Sequence, residues 1–157
     1  TGWRLGYAGG PQWLIAAMQI LQSQSTSNPS AISQAAAVVA LNHSADFLDG
    51  WLHTLDKRRQ QVLGMIAATE GLSAGIPQGA FYVFANCQRL IGRVTPTGET
   101  LRDDSGLANW LLEHTQVAVL HGSAFGMPGY LRIAYAVEDG LLTQACQRIA
   151  EACAQLR

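Results

Sequence analysis

Near its end, the sequence contains the alternating stretch Leu131-Arg132-Ile133-Ala134-Tyr135-Ala136. Successive side chains of a β-strand point to opposite faces of a sheet, so the three large apolar side chains share one face while Arg132 shares the other with two alanines. The pattern predicts a strand over residues 130–137 that holds a guanidinium among small neighbours. Such a group, if sheltered from water, needs an anion, and its planar fork fits a carboxylate in bidentate fashion. A structural ion pair with a nearby acid, or simple exposure to solvent, is the simpler explanation from spacing alone.

The residues on either side of this strand predict a small α/β sandwich. A buried strand is expected at residues 117–120, and a strand rich in aromatic residues at 80–84, where the aromatic run favours core packing over a ligand cage. A helix capped near Asp103 is expected between these two strands. Helical spacing predicts a last helix with an apolar stripe formed by Leu142, Cys146, Ile149, Cys153 and Leu156.

The opening of the sequence carries a second arginine in an alternating segment. Residues 1–7 are expected to form a strand that has Arg4 and Gly6 on one face. Because Gly6 has no side chain, it leaves room for a ligand to approach the strand, and a phosphate fits that space. A structural ion pair of Arg4 is again the simpler alternative.

Three helices are expected between the opening strand and the aromatic strand at residues 80–84. Pro11 begins the first helix, and Asn28 is expected to cap a second helix that ends near Asn42. A long amphipathic helix then connects the two halves of the chain. The predicted domains are residues 1–45, the long connecting helix 46–71 and the small C-terminal domain 72–157.

Composition restricts the possible partners. Charged residues make up 13% of the chain against roughly 25% in an average soluble domain, and the formal net charge is -1. This balance gives no basic surface for nucleic acid and no signature of membrane binding, so small molecules and protein partners remain. The three cysteines have neither disulfide-framework nor zinc spacing, which favours core packing in a reducing cytosol, and the four histidines lack metal-ligand spacing.

A glycine-rich segment at residues 122–126 is expected to be a flexible loop near a site, since it lacks the spacing of nucleotide-binding loops. His121 and Ser123 are close enough in sequence to suggest a base and its nucleophile. No third orienting group is indicated and sequence neighbours rarely build such triads, so this pair is not expected to be catalytic.

Five segments of the chain, in this order and at these separations, resemble fold-type I aminotransferases, in particular the bacterial aspartate aminotransferase subgroup. The resemblance extends over essentially the whole chain. The segments are Thr1-Gly2-Trp3-Arg4-Leu5-Gly6-Tyr7, Gln22-Ser23-Gln24-Ser25-Thr26-Ser27-Asn28-Pro29, Gly79-Ala80-Phe81-Tyr82, Val117-Ala118-Val119 with Gly122-Ser123-Ala124-Phe125-Gly126, and Leu131-Arg132-Ile133-Ala134-Tyr135-Ala136.

The resemblance implies an α/β fold, in which a strand and helices of a large domain precede a small α/β sandwich domain. Residues 1–45 are then the remnant of the large domain, which binds pyridoxal 5'-phosphate (PLP). The resemblance implies that Arg4 contacts the phosphate of this cofactor and that Arg132 binds the α-carboxylate of the amino acid substrate. The Schiff-base lysine of the family stands eight residues before the position of Arg4, and so before Thr1, which leaves no catalytic residue in this chain.

The resemblance also implies a cytoplasmic, homodimeric enzyme that transfers an amino group between an amino acid, expected to be aspartate, and a 2-oxo acid. Without the lysine, the chain by itself is expected to be inactive. Residues 25–28 are expected near the cofactor of a neighbouring subunit, and His121 replaces the proline or glutamine expected before Gly122. The alternative is a transcriptional regulator that uses an aminotransferase-like domain as its ligand sensor.

Overall fold

The computed structural model describes residues 2–157, and Thr1 lies outside the described residues. The chain divides into two compact units, Thr1–Asp49 and Gly50–Arg157. None of the helices in the described part is long and apolar enough to cross a lipid bilayer. In chain order, the elements are α1 (Gln12–Ser25), α2 (Ala31–Asn42), α3 (Leu48–Ala68), β1 (Tyr82–Asn86), α4 (Asp104–Thr115), β2 (Leu120–His121), β3 (Tyr130–Ala134) and α5 (Asp139–Cys153), with 3₁₀ turns at Gln88–Leu90 and Gly122–Phe125.

Helix α1 begins directly after Pro11, as the sequence predicts, and α2 ends at Asn42 as predicted. Proline suits a helix start because it has no amide that would be left unpaired there. The prediction that Asn28 caps α2 is wrong by two residues, since Ser30 is the residue that precedes the helix. Asn28 stands before Pro29, and a residue before proline is held in an extended conformation, which moves the helix start further along the chain.

The strand predicted over residues 1–7 does not form within the described residues. Gly2 and Trp3 form a turn, and the backbone of Arg4 has a φ of 51°, in the left-handed region that no strand uses. The segment is held instead by the buried Ser33 of α2, whose hydroxyl donates to the Trp3 carbonyl at 2.9 Å. A strand needs a neighbouring strand to pair its backbone groups, and residues 2–49 contain none.

Helix α3 is shorter at both ends than the predicted helix 46–71. Its buried residues are Val62, Met65 and Ile66, which face the core of the second unit. Gly71 follows the helix with a φ of 91°, and a side chain at this position would overlap the Cδ2 atom of Leu90. Both the backbone conformation and the packing therefore require glycine at position 71.

The second unit contains a three-stranded antiparallel sheet in the order β1-β3-β2. In the central strand β3, Arg132 pairs with Phe84 of β1 on one side and with Leu120 of β2 on the other. Directly opposite residues of an antiparallel pair lie on the same face, so these three side chains share one face of the sheet. The other face is apolar and buried, and it is formed by Val83, Ala85, Leu131 and Ile133.

Helices α4 and α5 contribute further residues to this buried core, beside those of α3. Asp103 caps α4, as predicted, by accepting a hydrogen bond from the Gly106 amide at 2.7 Å. Glu138 caps α5 because its carboxylate accepts hydrogen bonds from the amides of Gly140 and Leu141, at 2.9 Å each. The five residues predicted as the apolar stripe of the last helix are all buried, and four of them lie in α5, whereas Leu156 follows the end of the helix at Cys153.

The three cysteines are free thiols buried in the same core. Burial raises the pKa of Cys87 to about 12 and the pKa of Cys153 to about 11, because apolar surroundings disfavour the thiolate. They are therefore packing residues that stay neutral, as predicted for Cys146 and Cys153.

The strand boundaries differ from the predictions. β1 begins at Tyr82 rather than at residue 80 because Ala80 has a φ of 58°, outside the extended region. The prediction of a buried strand at residues 117–120 is wrong. The strand in this region, β2, contains only Leu120 and His121, lies at the edge of the sheet, and leaves Leu120 46% exposed. An edge strand is paired on one side only, and β2 pairs with β3 at two residues. β3 itself ends at Ala134, the last residue that pairs with β1.

We expect the Gly71→Ala variant to lose about 2–4 kcal/mol of unfolding free energy, because alanine is strained at this φ and would overlap Leu90. Gly64→Ala is the matched control, since Gly64 lies in α3 with open space around it. That variant should gain about 0.5–1 kcal/mol from better helix propensity. Urea unfolding followed by circular dichroism measures both, and equal stability of the two variants would contradict the prediction.

Candidate functional site

The candidate site is centred on Arg132 because of its position in β3. The alternation of this strand turns Leu131 and Ile133 into the core and Arg132 to the opposite face, where it is half-buried. The small neighbour predicted on the same strand is present as Ala134. The cross-strand neighbours Phe84 and Leu120 are large, which the sequence pattern of one strand could not indicate.

Two aromatic rings cover the guanidinium of Arg132. Its Cζ atom lies 4.4 Å from the centre of the Tyr82 ring and 4.3 Å from the centre of the Phe125 ring. Tyr82 belongs to β1 and Phe125 to the 3₁₀ turn after β2, so the two rings come from opposite sides of the central strand. We call Tyr82 and Phe125 the aromatic clamp. Tyr82 pairs with Ala134 of β3, which agrees with the strand pairing predicted for the aromatic run at 81–84, but its ring contacts a cation and not the core.

Within the part of the chain that the structure describes, no carboxylate compensates the charge of Arg132. Within residues 50–157, no carboxylate lies within 4.0 Å of its guanidinium, and no hydrogen bond uses its nitrogen atoms. The structural ion pair left open by the sequence therefore does not form in this part of the chain. The only buried side-chain nitrogen or oxygen without a partner in the described residues is Nε of Arg59, so the N–H groups of Arg132 remain accessible. An anion from solution can therefore bind to these N–H groups.

A buried carboxylate positions the turn that carries Phe125. Asp104, at the start of α4, is 2% exposed and accepts a hydrogen bond from the Ser123 amide at 2.8 Å. The segment at residues 122–126, expected to be a flexible loop, is in fact a 3₁₀ turn, and it ends at Gly126 with a φ of 75°. Gly122 is buried at its start, where a side chain would lie 2.7 Å from Cβ of Tyr130. Close packing at Gly122 and one charged hydrogen bond to Ser123 thus fix the start of this turn.

The pKa of Asp104 reflects this arrangement. Burial by itself would raise the pKa, but the Ser123 amide and hydroxyl and the Gly129 amide stabilise the carboxylate and outweigh it. The net pKa lies below the usual value for aspartate. Asp104 is therefore a permanently charged structural group at neutral pH.

His121 and Ser123 do not form part of a catalytic triad. His121 Nδ1 and Ser123 Oγ lie 2.7 Å apart, but Asp104 binds the backbone amide of Ser123 rather than the imidazole. His121 also pairs with Leu131, whose side chain faces the core, so it lies on the sheet face opposite Arg132. The expectation that this pair is not catalytic agrees with the geometry.

Arg4 lies in the first unit on an exposed segment. Its backbone lies in the left-handed region, which is uncommon for a residue with a side chain and recurs where a ligand or a neighbouring segment fixes the conformation. Within residues 2–49, no carboxylate lies within 4.0 Å of its guanidinium. An exposed, uncompensated guanidinium has the donor chemistry that a phosphate group requires, so this residue fits the phosphate of PLP.

The segment that leads into β1 is held by residues that the sequence did not single out. Arg59 of α3 donates from Nη1 to the Pro77 carbonyl at 2.9 Å and also contacts Asp56. The hydroxyl of the buried Tyr135 donates to the Ala80 carbonyl at 3.0 Å. These bonds hold Ala80 in its left-handed conformation and so fix the start of the strand that carries Tyr82.

An α/β domain that presents an uncompensated arginine on a half-covered sheet face is suited to bind a small anionic molecule. The chain belongs to the class I and II aminotransferase family, whose model matches residues 1–149. This family uses PLP. The chain is 48% identical over 156 residues to the aspartate aminotransferase of Rhizobium meliloti strain 1021, a match that covers 99% of this chain and 38% of that protein. It is 45% identical over 156 residues to the aspartate/prephenate aminotransferase of Cereibacter sphaeroides, with 99% of this chain and 39% of that protein covered.

The similarity extends to solved structures. The crystal structure of the aspartate aminotransferase from Rhizobium meliloti matches with a TM-score of 0.84 and 48% identity over 99% of this chain and 39% of that chain. This match confirms the predicted fold class, the C-terminal part of the aspartate-aminotransferase-like fold. The chain spans about 38% of the length of the curated relatives described above.

We expect Asp104→Asn to lower the free energy of unfolding at pH 7 by about 1–3 kcal/mol, because it replaces a charged acceptor for the Ser123 amide with a neutral one. Since the pKa of Asp104 is lower in the folded chain than in the unfolded chain, its contribution is fully present above the unfolded pKa of about 3.9. That contribution is lost as the pH falls through the lower folded pKa.

Urea unfolding between pH 7 and pH 2 measures this effect, and the loss of stability on acidification should be smaller in Asp104→Asn than in the wild type. Glu113→Gln, which removes an exposed charge from the same helix, is the control and should keep the wild-type pH profile. A wild-type pH profile in Asp104→Asn would show that this carboxylate is not the stabilising group.

Proposed function

We propose that the complete protein containing this chain is a PLP-dependent aminotransferase that transfers an amino group between an amino acid, with aspartate as the expected donor, and a 2-oxo acid. The observation that carries the proposal is the guanidinium of Arg132, whose N–H groups are accessible and which has no carboxylate partner within residues 50–157. The family match supports the class of reaction, and the relatives' names support aspartate as the donor.

Arg132 would bind the α-carboxylate of the amino acid through two parallel N–H···O bonds. Hydrogen bonds to charged groups contribute about 1.5–3 kcal/mol each, so this contact can supply much of the affinity for a small substrate. The central position in the sheet restricts where the bound carboxylate lies, and therefore helps to orient the α-carbon.

Arg4 would hold the phosphate of the cofactor, in keeping with its exposed and uncompensated guanidinium. When bound, PLP supplies an electron sink for the negative charge that develops on the α-carbon. The group that moves the α-proton is proposed to be a lysine eight residues before Arg4, outside this chain. Lys57 is the only lysine in the sequence, and it lies exposed in α3.

The proposed domains are residues 1–45 as the remnant of the large PLP-binding domain, 46–71 as the connecting helix and 72–157 as the small domain. Helix α1 supports the first of these, because none of its residues is buried although it carries Trp13, Met18 and Leu21. Exposed apolar surface of this extent indicates a missing packing partner. In the complete protein we propose a cytoplasmic homodimer, with residues 25–28 near the neighbouring subunit's cofactor.

The isolated chain is expected to have no transaminase activity and to form no covalent bond to PLP. The test is to mix the chain with PLP, record its visible absorption, reduce it with borohydride and locate any label by mass spectrometry. Lys57→Arg is the control, since any specific signal in the wild type must vanish in this variant. A stoichiometric label on Lys57 would contradict the proposal that the reactive lysine lies outside the chain.

In the complete PLP-loaded enzyme, Arg132→Ala should raise the KM for the amino acid about 10- to 100-fold, as expected for the loss of a charged bidentate contact. The dissociation constant of PLP should change less than about threefold, because Arg132 is proposed to contact the substrate and not the cofactor. Steady-state kinetics and cofactor titration measure these two effects, and Arg102→Ala, an exposed arginine of the same unit, is the control.

Equal loss of substrate and cofactor binding in Arg132→Ala would mean that Arg132 has a structural role. A complete protein that lacks transaminase activity and carries a DNA-binding module ahead of this chain would favour the regulator alternative.

A further inference from the structure

We propose that the aromatic clamp is a specificity device: Tyr82 and Phe125 position the Arg132 guanidinium so that it accepts planar carboxylates and disfavours tetrahedral anions. This inference rests on the proposed role of Arg132 in binding the substrate's carboxylate. It assigns a positioning role to two residues of this chain that act through Arg132.

The geometry of a guanidinium explains how two rings can select a ligand. The group is flat, and its five N–H donors all lie in its plane. The ring centres lie 4.4 and 4.3 Å from Cζ, and in the proposed arrangement the rings cover the flat surface of the group and leave open its edge, which carries the accessible N–H groups. A carboxylate places both oxygens in one plane with that edge. A phosphonate or sulfonate has a third oxygen out of this plane, which would be directed toward the covered region.

The rings also keep Arg132 ready for the anion. Because no carboxylate within residues 50–157 pairs with it, the guanidinium would otherwise be free to turn toward water. Cation–π attraction holds it against the rings and excludes water from it, which strengthens its interaction with an incoming carboxylate. The side-chain entropy that a substrate would otherwise have to overcome on binding is thereby reduced.

The fold holds each ring independently of a ligand. The cross-strand partner of Tyr82 is Ala134, so the small alanine leaves the tyrosine ring room to lie toward Arg132. Phe125 packs edge-on against Phe84, with ring centres 6.0 Å apart. Its turn is attached to α4 by the Ser123 amide and the Asp104 carboxylate. The clamp is therefore preorganised by β1 on one side and by the turn on the other.

The experiment uses the complete PLP-loaded enzyme and two ligands that differ only in their anion. The first is the α-methyl derivative of aspartate, which has no α-proton to lose and so binds without turning over. The second is the same molecule with its α-carboxylate replaced by a phosphonate. The readout is the ratio of the two dissociation constants at equilibrium, which does not depend on catalytic rate.

The test variants are Tyr82→Leu and Phe125→Leu, which remove a ring but keep an apolar side chain. Each should weaken carboxylate binding about 2- to 30-fold, the range expected for loss of one cation–π contact, and should weaken phosphonate binding less. The preference for the carboxylate should therefore fall. Tyr82→Phe keeps the ring and should keep the wild-type ratio.

Tyr130→Leu is the matched control, because Tyr130 lies on the same face of β3, two residues before Arg132, and within residues 50–157 its ring packs against Phe84 and against neither clamp ring. It should leave the ratio unchanged even if it lowers stability. If a leucine variant does not fold, pentafluorophenylalanine at position 125 keeps the shape of the ring and reverses its charge distribution, and it should lower the ratio in the same way.

An unchanged ratio in the ring variants, together with loss of carboxylate binding in Arg132→Ala, would overturn the clamp proposal while leaving the proposed function intact. Carboxylate binding that survives Arg132→Ala would overturn the proposed role of Arg132 and the clamp with it. An equal fall of the ratio in Tyr130→Leu would show that general packing, and not contact with the cation, causes the effect.

Discussion

The double pairing of β3 is the constraint on which the rest of the second unit depends. This strand is hydrogen-bonded to β1 on one side and to β2 on the other. The alternation of its side chains between the two faces therefore also determines which residues of β1 and β2 lie on each face. Leu131 and Ile133 must then enter the core, and Arg132 must face away from it. A shift of one residue would expose the core residues and bury an unpaired charge, which is among the most costly changes a fold can suffer.

Two charged residues of the second unit, Asp104 and Arg132, differ in how the surrounding residues compensate their charge. Asp104 is buried and satisfied by backbone amides, which fixes the turn after β2 and lowers the pKa of the carboxyl group. Arg132 has no carboxylate partner within residues 50–157, and its favourable contacts are two neutral aromatic rings. The first charge is used for structure, and the second remains available for binding. This difference is the physical basis for locating a binding site at Arg132 rather than at Asp104.

The features that could be predicted from sequence are those in which local periodicity and burial agree. The apolar stripe of α5 and the Asp103 cap of α4 depend on residues a few positions apart, and both were predictable. The alternation around Arg132 likewise predicted which face it occupies.

The prediction of the opening strand was wrong because alternation cannot reveal whether a partner strand exists. The φ of Arg4 is incompatible with a strand at that residue. The predicted start of β1 was wrong because a single residue, Ala80, adopts a left-handed conformation. Contacts with Tyr135 and with neighbouring residues fix this conformation. The aromatic clamp could not be predicted, since Tyr82, Phe125 and Arg132 meet only after three strands have paired.

The neutral lining of Arg132 has an evolutionary consequence. Aromatic rings hold the cation without introducing a negative charge that would compete with an anionic ligand, so mutations elsewhere in the protein can accumulate without disturbing the proposed carboxylate-binding group. Tyr82, Phe125 and Arg132 all belong to one unit of the chain. Their arrangement can therefore be inherited as a single module, while residues elsewhere in the protein diverge.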